Sequence, residues 1–233
     1  MNKYHKIILE KIKKAEKKDS NHPHGARYVG TTHNYYNVPT PERSVIIKEF
    51  VKANNLNFKE YIDLIYSLNN GKSYEEIVSA VSIIYSYPMY IEQIKIKDIN
   101  SWLKNLVGWA EVDTLCAGIF DSKMILKNLD NWYKFLINLS KSKNINKRRA
   151  SLVLLIKPIR EIHSEELSNL AFLNINTLKH EKHILITKAI SWILREMTKN
   201  YRNEVIDYLK NNKQTLPAIA VRETNNKLKT GRK

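Results

Sequence analysis

Within the stretch Val107-Gly108-Trp109-Ala110-Glu111-Val112-Asp113, an indole and a carboxylate stand four residues apart. On a helix, positions i and i+4 differ by only about 40° in direction, so Trp109 and Asp113 share a surface. Glu111 points elsewhere on the same count. Trp109, Val112, Cys116 and Phe120 recur at offsets of three, four and four, so the apolar arc includes the indole and Asp113 borders it. A carboxylate against an apolar arc is costly unless a cation or a hydrogen-bond donor meets it. Two uses follow from that. The acid either pairs internally with an arginine such as Arg149, or, beside the indole, it meets a cationic group from outside.

A second stretch, Lys188-Ala189-Ile190-Ser191-Trp192-Ile193-Leu194-Arg195-Glu196, shows the same residue types in another arrangement. Ile186, Ile190, Ile193 and Met197 form one helical stripe. Lys188, Trp192, Arg195 and Lys199 repeat at the same spacing on another, so this tryptophan keeps company with cations. A third stretch, Asn144-Ile145-Asn146-Lys147-Arg148-Arg149-Ala150, puts three consecutive cations at a helix start. Cations there oppose the helix dipole, and a phosphate would relieve both terms. Arg149 aligns with Leu152, Val153 and Ile156, which turns it toward a packed face and makes it the better candidate for a fixed contact.

These stretches need helices to hold them, and the rest of the chain supplies helical signals almost throughout. An amphipathic helix with a basic face is predicted over 5–18 and a loop over 19–38, with a short helix near Arg27. Thr40 suits a cap and Pro41 a first helical position for a helix ending near Asn54. A helix from Asn57 stops at Asn69-Asn70-Gly71, and Ser73-Tyr74-Glu75-Glu76 opens the next as a capping box, limited by Pro88. Further helices are predicted over 98–107, 109–121, 129–140, 146–159, 164–173, 181–199 and 201–210, with a last one after Pro217. No period-2 run suggests a strand. Ten or more helices joined by short polar links suit an all-α α-solenoid of stacked antiparallel pairs. One domain over 1–225 and a basic, flexible tail over 226–233 complete the expected organisation.

Composition bounds the partners. With 39 Lys and Arg against 23 Asp and Glu, the 233-residue chain carries a formal charge of +16, which points to a polyanion, nucleic acid before an acidic membrane surface. Hydrophobic residues at 43% allow a substantial core. The one cysteine, Cys116, excludes an internal disulfide and a thiol-rich metal site. The seven histidines show no familiar metal spacing, and His22 and His24 lie among loop signals. Neither a signal-peptide core nor an apolar run of the ~18 residues of a spanning helix is present, so a soluble, cytoplasmic protein is expected. No Ser/His/Asp arrangement or phosphate-cradling glycine loop appears.

Taken in order, Ala26-Arg27-Tyr28, Asn37 to Arg43 (NVPTPER), Trp109 to Asp113 (WAEVD), the Arg149-Ala150 step and Thr187 to Glu196 (TKAISWILRE) carry a resemblance. The chain resembles the AlkD-like DNA alkylation repair family, bacterial DNA glycosylases built from HEAT-like helical repeats. The resemblance implies hydrolysis of the N-glycosidic bond of N3- or N7-alkylated, cationic purines. It also implies a duplex held in a concave basic groove without insertion of the lesion into a deep pocket. Carried over by motif, Asp113 is the catalytic carboxylate, Trp109 and Trp192 flank the damaged nucleotide, Arg149 holds DNA and Tyr28 reaches the duplex. Arg148, Lys188, Arg195 and Lys199 join the expected DNA-binding set on their position and charge. Duplex DNA with alkylated bases is the expected partner of a monomer, and the chemistry requires no cofactor or metal. Four positions depart from the family pattern. Ala110 stands where an aspartate is common, Asn146 where an aromatic is, and Thr187 and Ser191 where the usual residues are Gln and Gly.

Overall fold

A computed structural model describes residues 1–17 and 25–232, and within them the chain is all-α. His22 and His24 lie outside the described residues. Fifteen α-helices and one 3-10 turn are present among the described residues, and extended pairing is limited to an isolated bridge between Asn34 and Ser73. The chain divides into two compact units, Met1–Leu115 and Cys116–Lys233.

The first unit holds α1 (Lys3–Lys14), α2 (Gly25–Val29), α3 (Thr40–Ala53), α4 (Phe58–Asn69), α5 (Tyr74–Ser86), α6 (Ile96–Trp102) and most of α7 (Trp109–Cys116). Helices α1, α3, α4 and α5 pack on one another. Ile8 and Ile12 of α1 are buried against this core, as are Tyr61, Leu64 and Leu68 of α4. Each such aliphatic side chain stabilises by about 1.5–3 kcal/mol. The Ser73 box forms as its sequence predicts: the Ser73 hydroxyl accepts from Glu76 N–H, and the Glu76 carboxylate accepts from Ser73 N–H at 2.9 Å. Glu76 also takes the buried His5 ring at 2.7 Å, which ties α1 to the start of α5. Its neighbour Glu75, buried completely, accepts from the Tyr36 N–H at 3.1 Å and holds the 34–38 loop. Thr40 does not cap α3. It is the first helical residue, and its hydroxyl accepts from Arg43 Nη2 at 3.1 Å, while Pro39 occupies the cap without a side-chain bond.

The second unit holds α8 (Ser122–Lys127), α9 (Leu129–Ser140), α10 (Ile145–Val153), α11 (Ile156–Glu161), α12 (Glu165–Leu178), α13 (Ile184–Met197), α14 (Arg202–Asn212) and α15 (Ala218–Thr230). Helix α13 is central, packing on α10, α11, α12, α14 and α15. Its predicted core stripe of Ile186, Ile190, Ile193 and Met197 is fully buried.

The helix expected over 98–107 ends at Trp102, the one expected over 164–173 continues to Leu178, and three further predicted spans differ in kind. The helix expected over 109–121 ends at Cys116. The chain bends through Ala117 and Gly118, a residue that weakens helices, and Asp121 caps a separate α8 by accepting from Met124 N–H at 2.9 Å. The helix expected over 146–159 is two helices. Breaking at Leu154 and Leu155 places Pro158 third in α11, where its missing N–H is no loss, because first-turn donors have no intrahelical partner. The expected flexible tail is largely helical: α15 continues to Thr230 and closes on Gly231 at φ 70°, whose N–H reaches Lys227 O at 2.9 Å. Lys227 and Lys229 thus sit in a last turn, where the helix dipole favours them.

Candidate functional site

Helix α7 is short, and its start is built by Glu111. Trp109 is its first residue, so Glu111 falls at the third position, where a carboxylate can reach back over the exposed donors. It does so, accepting from Val107 N–H at 2.6 Å. Its other oxygen accepts from the Thr31 hydroxyl at 2.6 Å, and His33 Nε2 stands 3.6 Å from the carboxylate. Glu111 is 1% exposed, and this burial pushes its carboxyl above the usual range, with the Thr31, Val107 and His33 contacts working the other way.

The same segment carries Tyr28 to Trp109. The indole N–H donates to the Tyr28 carbonyl at 2.8 Å, and the two rings meet edge to face at 5.7 Å and 86°. Two glycines make this approach possible. Gly30 and Gly108 both have positive φ, 75° and 84°, and a Cβ at Gly108 would run into the Gly30 carbonyl. Trp109 is half-buried, packed on a small cluster of Tyr74, Val78 and Ala110 together with Val29 and Tyr35. Tyr28 is 73% exposed. Asp113, one helical turn after Trp109, is half-buried. The cluster also accounts for one departure in the sequence: Ala110 is 6% exposed among apolar side chains, a position where a carboxylate would have to be desolvated.

In the second unit the three consecutive cations do start a helix, α10, with Asn144 capping Asn146 and Lys147 N–H groups at 2.8 and 3.3 Å. Arg148 is fully engaged. Its Nε and Nη2 donate to the two oxygens of Glu181 at 2.7 and 3.0 Å, and its Nη1 donates to the Ser142 and Lys143 carbonyls at 2.8 and 2.9 Å. The guanidinium therefore holds the loop between α9 and α10, and its charge is met by a carboxylate. Arg149 is 5% exposed and donates through Nη1 to the Leu185 carbonyl at the start of α13.

Helix α13 turns Lys188, Trp192, Arg195 and Lys199 away from its core stripe. Lys188 and Lys199 are exposed, Trp192 and Arg195 half-buried. Trp192 Nε1 donates to Glu196 Oε1 at 2.9 Å, and Glu196 also lies 3.7 Å from Arg160 Nε. Arg195 donates to the Ser191 carbonyl at 3.1 Å and pairs with Glu223 of α15 at 3.4 Å. Ser191, another departure in the sequence, donates its hydroxyl to the same Glu223 at 2.6 Å, so it helps clamp α15 onto α13. Lys199 donates to the Arg160 carbonyl at 3.3 Å.

Of the residues expected to form a site, Tyr28 is brought against Trp109, with Asp113 one turn further along α7, all in the first unit, and Arg148, Arg149, Lys188, Trp192, Arg195 and Lys199 belong to the second. Sequence reasoning missed Thr31, Glu111, the Gly30 and Gly108 pair, and the acids Glu181 and Glu223 that occupy two of the cations. For Glu111 a signal exists, a carboxylate at the third position of a helix whose start follows a glycine. For the others the partner lies 28 residues away, as from Arg195 to Glu223, or farther, beyond any local pattern. Among the described residues no group of three or more His, Cys, Asp or Glu is placed to hold a metal ion, and no helix is long and apolar enough to cross a membrane.

The all-α fold matches that of a solved structure from Enterococcus faecalis described as a predicted DNA alkylation repair enzyme, with a TM-score of 0.72, 18% sequence identity, and coverage of 90% of this chain and 95% of that one. No curated protein sequence matches the chain. The sequence profile of the family described as DNA alkylation repair enzyme matches residues 8–228, and the chain belongs to that family. It is thus a member of a family of DNA repair enzymes, in line with its excess of positive charge.

Proposed function

We propose that the protein is a monofunctional DNA glycosylase that hydrolyses the N-glycosidic bond of cationic N3- or N7-alkylpurines in duplex DNA and leaves an abasic site. One observation carries the reading. In a chain of the DNA alkylation repair enzyme family, half-buried Asp113 follows half-buried Trp109 by one turn of α7, with the exposed Tyr28 ring set against that indole.

The chemistry suits these groups. A cationic purine is already a good leaving group, so protonation of the base by the enzyme is unnecessary. As the bond breaks, positive charge moves toward the sugar. Asp113 stabilises that charge and orients or deprotonates the attacking water. The indole face attracts a cationic nucleotide by about 0.5–2 kcal/mol. In the second unit, Trp192 and Lys188 give α13 a half-buried aromatic and an exposed cation, residue types suited to a nucleic-acid contact. The resemblance gives Arg149 a DNA contact; its buried guanidinium, held by the Leu185 carbonyl, serves that contact by fixing the start of α13. No lysine of the WAEVD segment is available for a Schiff base, so no lyase step follows base release. The protein acts as a monomer, and the reaction needs no cofactor.

The test is incubation with duplex DNA carrying 7-methylguanine and measurement of free base, for wild type and Asp113→Asn. Base release by the wild type and its loss in the variant is the expected result. Salt-sensitive binding without release would instead make the protein a non-catalytic binder of damaged DNA. Release by Asp113→Asn at the wild-type rate would remove Asp113 from the mechanism.

A further inference from the structure

The two backbone stretches that meet at Gly30 and Gly108 each carry an aromatic residue beside the meeting point: Tyr28 precedes Gly30, and Trp109 follows Gly108. Glu111 spans both. One carboxylate oxygen takes the hydroxyl of Thr31, the residue after Gly30, and the other takes the N–H of Val107, the residue before Gly108, each at 2.6 Å. A helix start needs only the second of these bonds. The first reaches 80 residues back along the chain and serves no helix. Thr31 is itself 7% exposed, and its hydroxyl also accepts from the His33 N–H at 3.1 Å, so the donor side of the bridge is fixed in place. A carboxylate buried this deeply is a costly way to fill space, and it meets each donor with a separate oxygen, whereas an amide would turn an NH2 donor toward one of them.

We propose that Glu111 is a positioning residue, which locks the 28–31 segment onto the start of α7 so that Tyr28 and Trp109 present one preassembled aromatic edge beside Asp113. The role of that edge in meeting the damaged nucleotide rests on the glycosylase reading above; the lock itself does not. Preassembly lowers the ordering cost of binding, so its loss falls on KM before kcat.

Glu111→Gln and Thr31→Val break the bridge from its two sides, and Thr31→Ser keeps the hydroxyl. Solvent exchange of the tryptophan indole N–H groups is followed by 15N NMR on the full chain, with the Trp109 signal assigned by its absence in Trp109→Phe. The expected result is Trp109 exchange faster by roughly five- to tenfold in Glu111→Gln and Thr31→Val, the worth of one hydrogen bond. Thr31→Ser stays at the wild-type rate, and Trp132, a buried residue of α9 in the second unit, is unchanged in all three. Unchanged Trp109 exchange in folded Glu111→Gln and Thr31→Val would overturn the lock. On 7-methylguanine duplex, KM rises by about fivefold in both variants with a smaller change in kcat. Faster exchange with KM unchanged would overturn the role in recognition. If the wild type releases no base, the glycosylase reading fails, and the exchange rates still decide whether Glu111 is the lock.

Discussion

Helices α7 and α13 carry the same local phrase, a tryptophan with an acid four residues on, and the fold treats the two differently. In α13 the Trp192 indole N–H is satisfied inside the helix by Glu196 at 2.9 Å. In α7 the Trp109 N–H goes instead to the carbonyl of Tyr28, 81 residues earlier, and brings a second aromatic ring with it. Identical spacing thus guarantees only a shared helical face. What reaches that face from elsewhere in the chain decides whether the acid serves its own tryptophan or leaves the indole to another partner. The surroundings diverge in the same way. The ties of α7 come from a loop through paired glycines and a buried carboxylate, whereas those of α13 come from neighbouring helices through Glu223 and Arg160.

The contrast can be broken most directly at the acids. Asp113→Asn should slow 7-methylguanine release by about 100- to 1000-fold, the scale of one lost group stabilising transition-state charge. Glu196→Gln should cost no more than about fivefold, the size of a partly exposed ion pair. Single-turnover base release compares the two, and equal losses would mean that the acids are equivalent.

Next in size is the backbone. Gly108→Ala forces a Cβ into the Gly30 carbonyl at a positive φ, and should destabilise the first unit by about 1–3 kcal/mol in urea unfolding. Ser191→Ala removes one bond to a carboxylate and should cost about 1 kcal/mol. A larger loss from the second substitution would show that the clamp of α15 on α13 is the tighter junction.

The cations separate by what already holds them. Lys188→Ala should leave stability unchanged and reduce the slope of log binding constant against log salt by about one, the value of one phosphate contact. Arg148→Ala should leave that slope almost intact and destabilise by about 1–3 kcal/mol through loss of the Glu181 pair and the loop carbonyls. Duplex titrations at several salt concentrations, with matched unfolding curves, check both.

The smallest effect concerns pH. Burial raises the Glu111 carboxyl in the folded protein, so the folded state holds this proton at a pH where the unfolded chain has released it. That contribution to stability is complete below the ordinary glutamate range and is lost as pH rises through the folded value. The stability of wild type relative to Glu111→Gln should therefore fall across that interval. His33 Nε2 stands 3.6 Å from the carboxylate, and repeating the curves in a His33→Gln background isolates the acid. A flat difference would show that Glu111 titrates alike in both states.

Much was legible from the chain alone where the cause is local. Helical periodicity, the Ser73 capping box, the core stripe of α13 and the cationic start of α10 all follow from side chains within one or two turns of one another. The ordered motifs led to the family that the profile match then showed. The sequence also set the residue types on the two tryptophan faces, because a helix has only one periodicity to obey. The structure decided what those residues do with their polar groups. Arg148 and Arg195 read as available cations, yet Glu181 and Glu223 meet them; Glu111 read as pointing elsewhere, yet it joins two backbone stretches 76 residues apart. A buried donor or acceptor takes whichever partner the packing delivers, and that partner's place in the chain leaves no local trace.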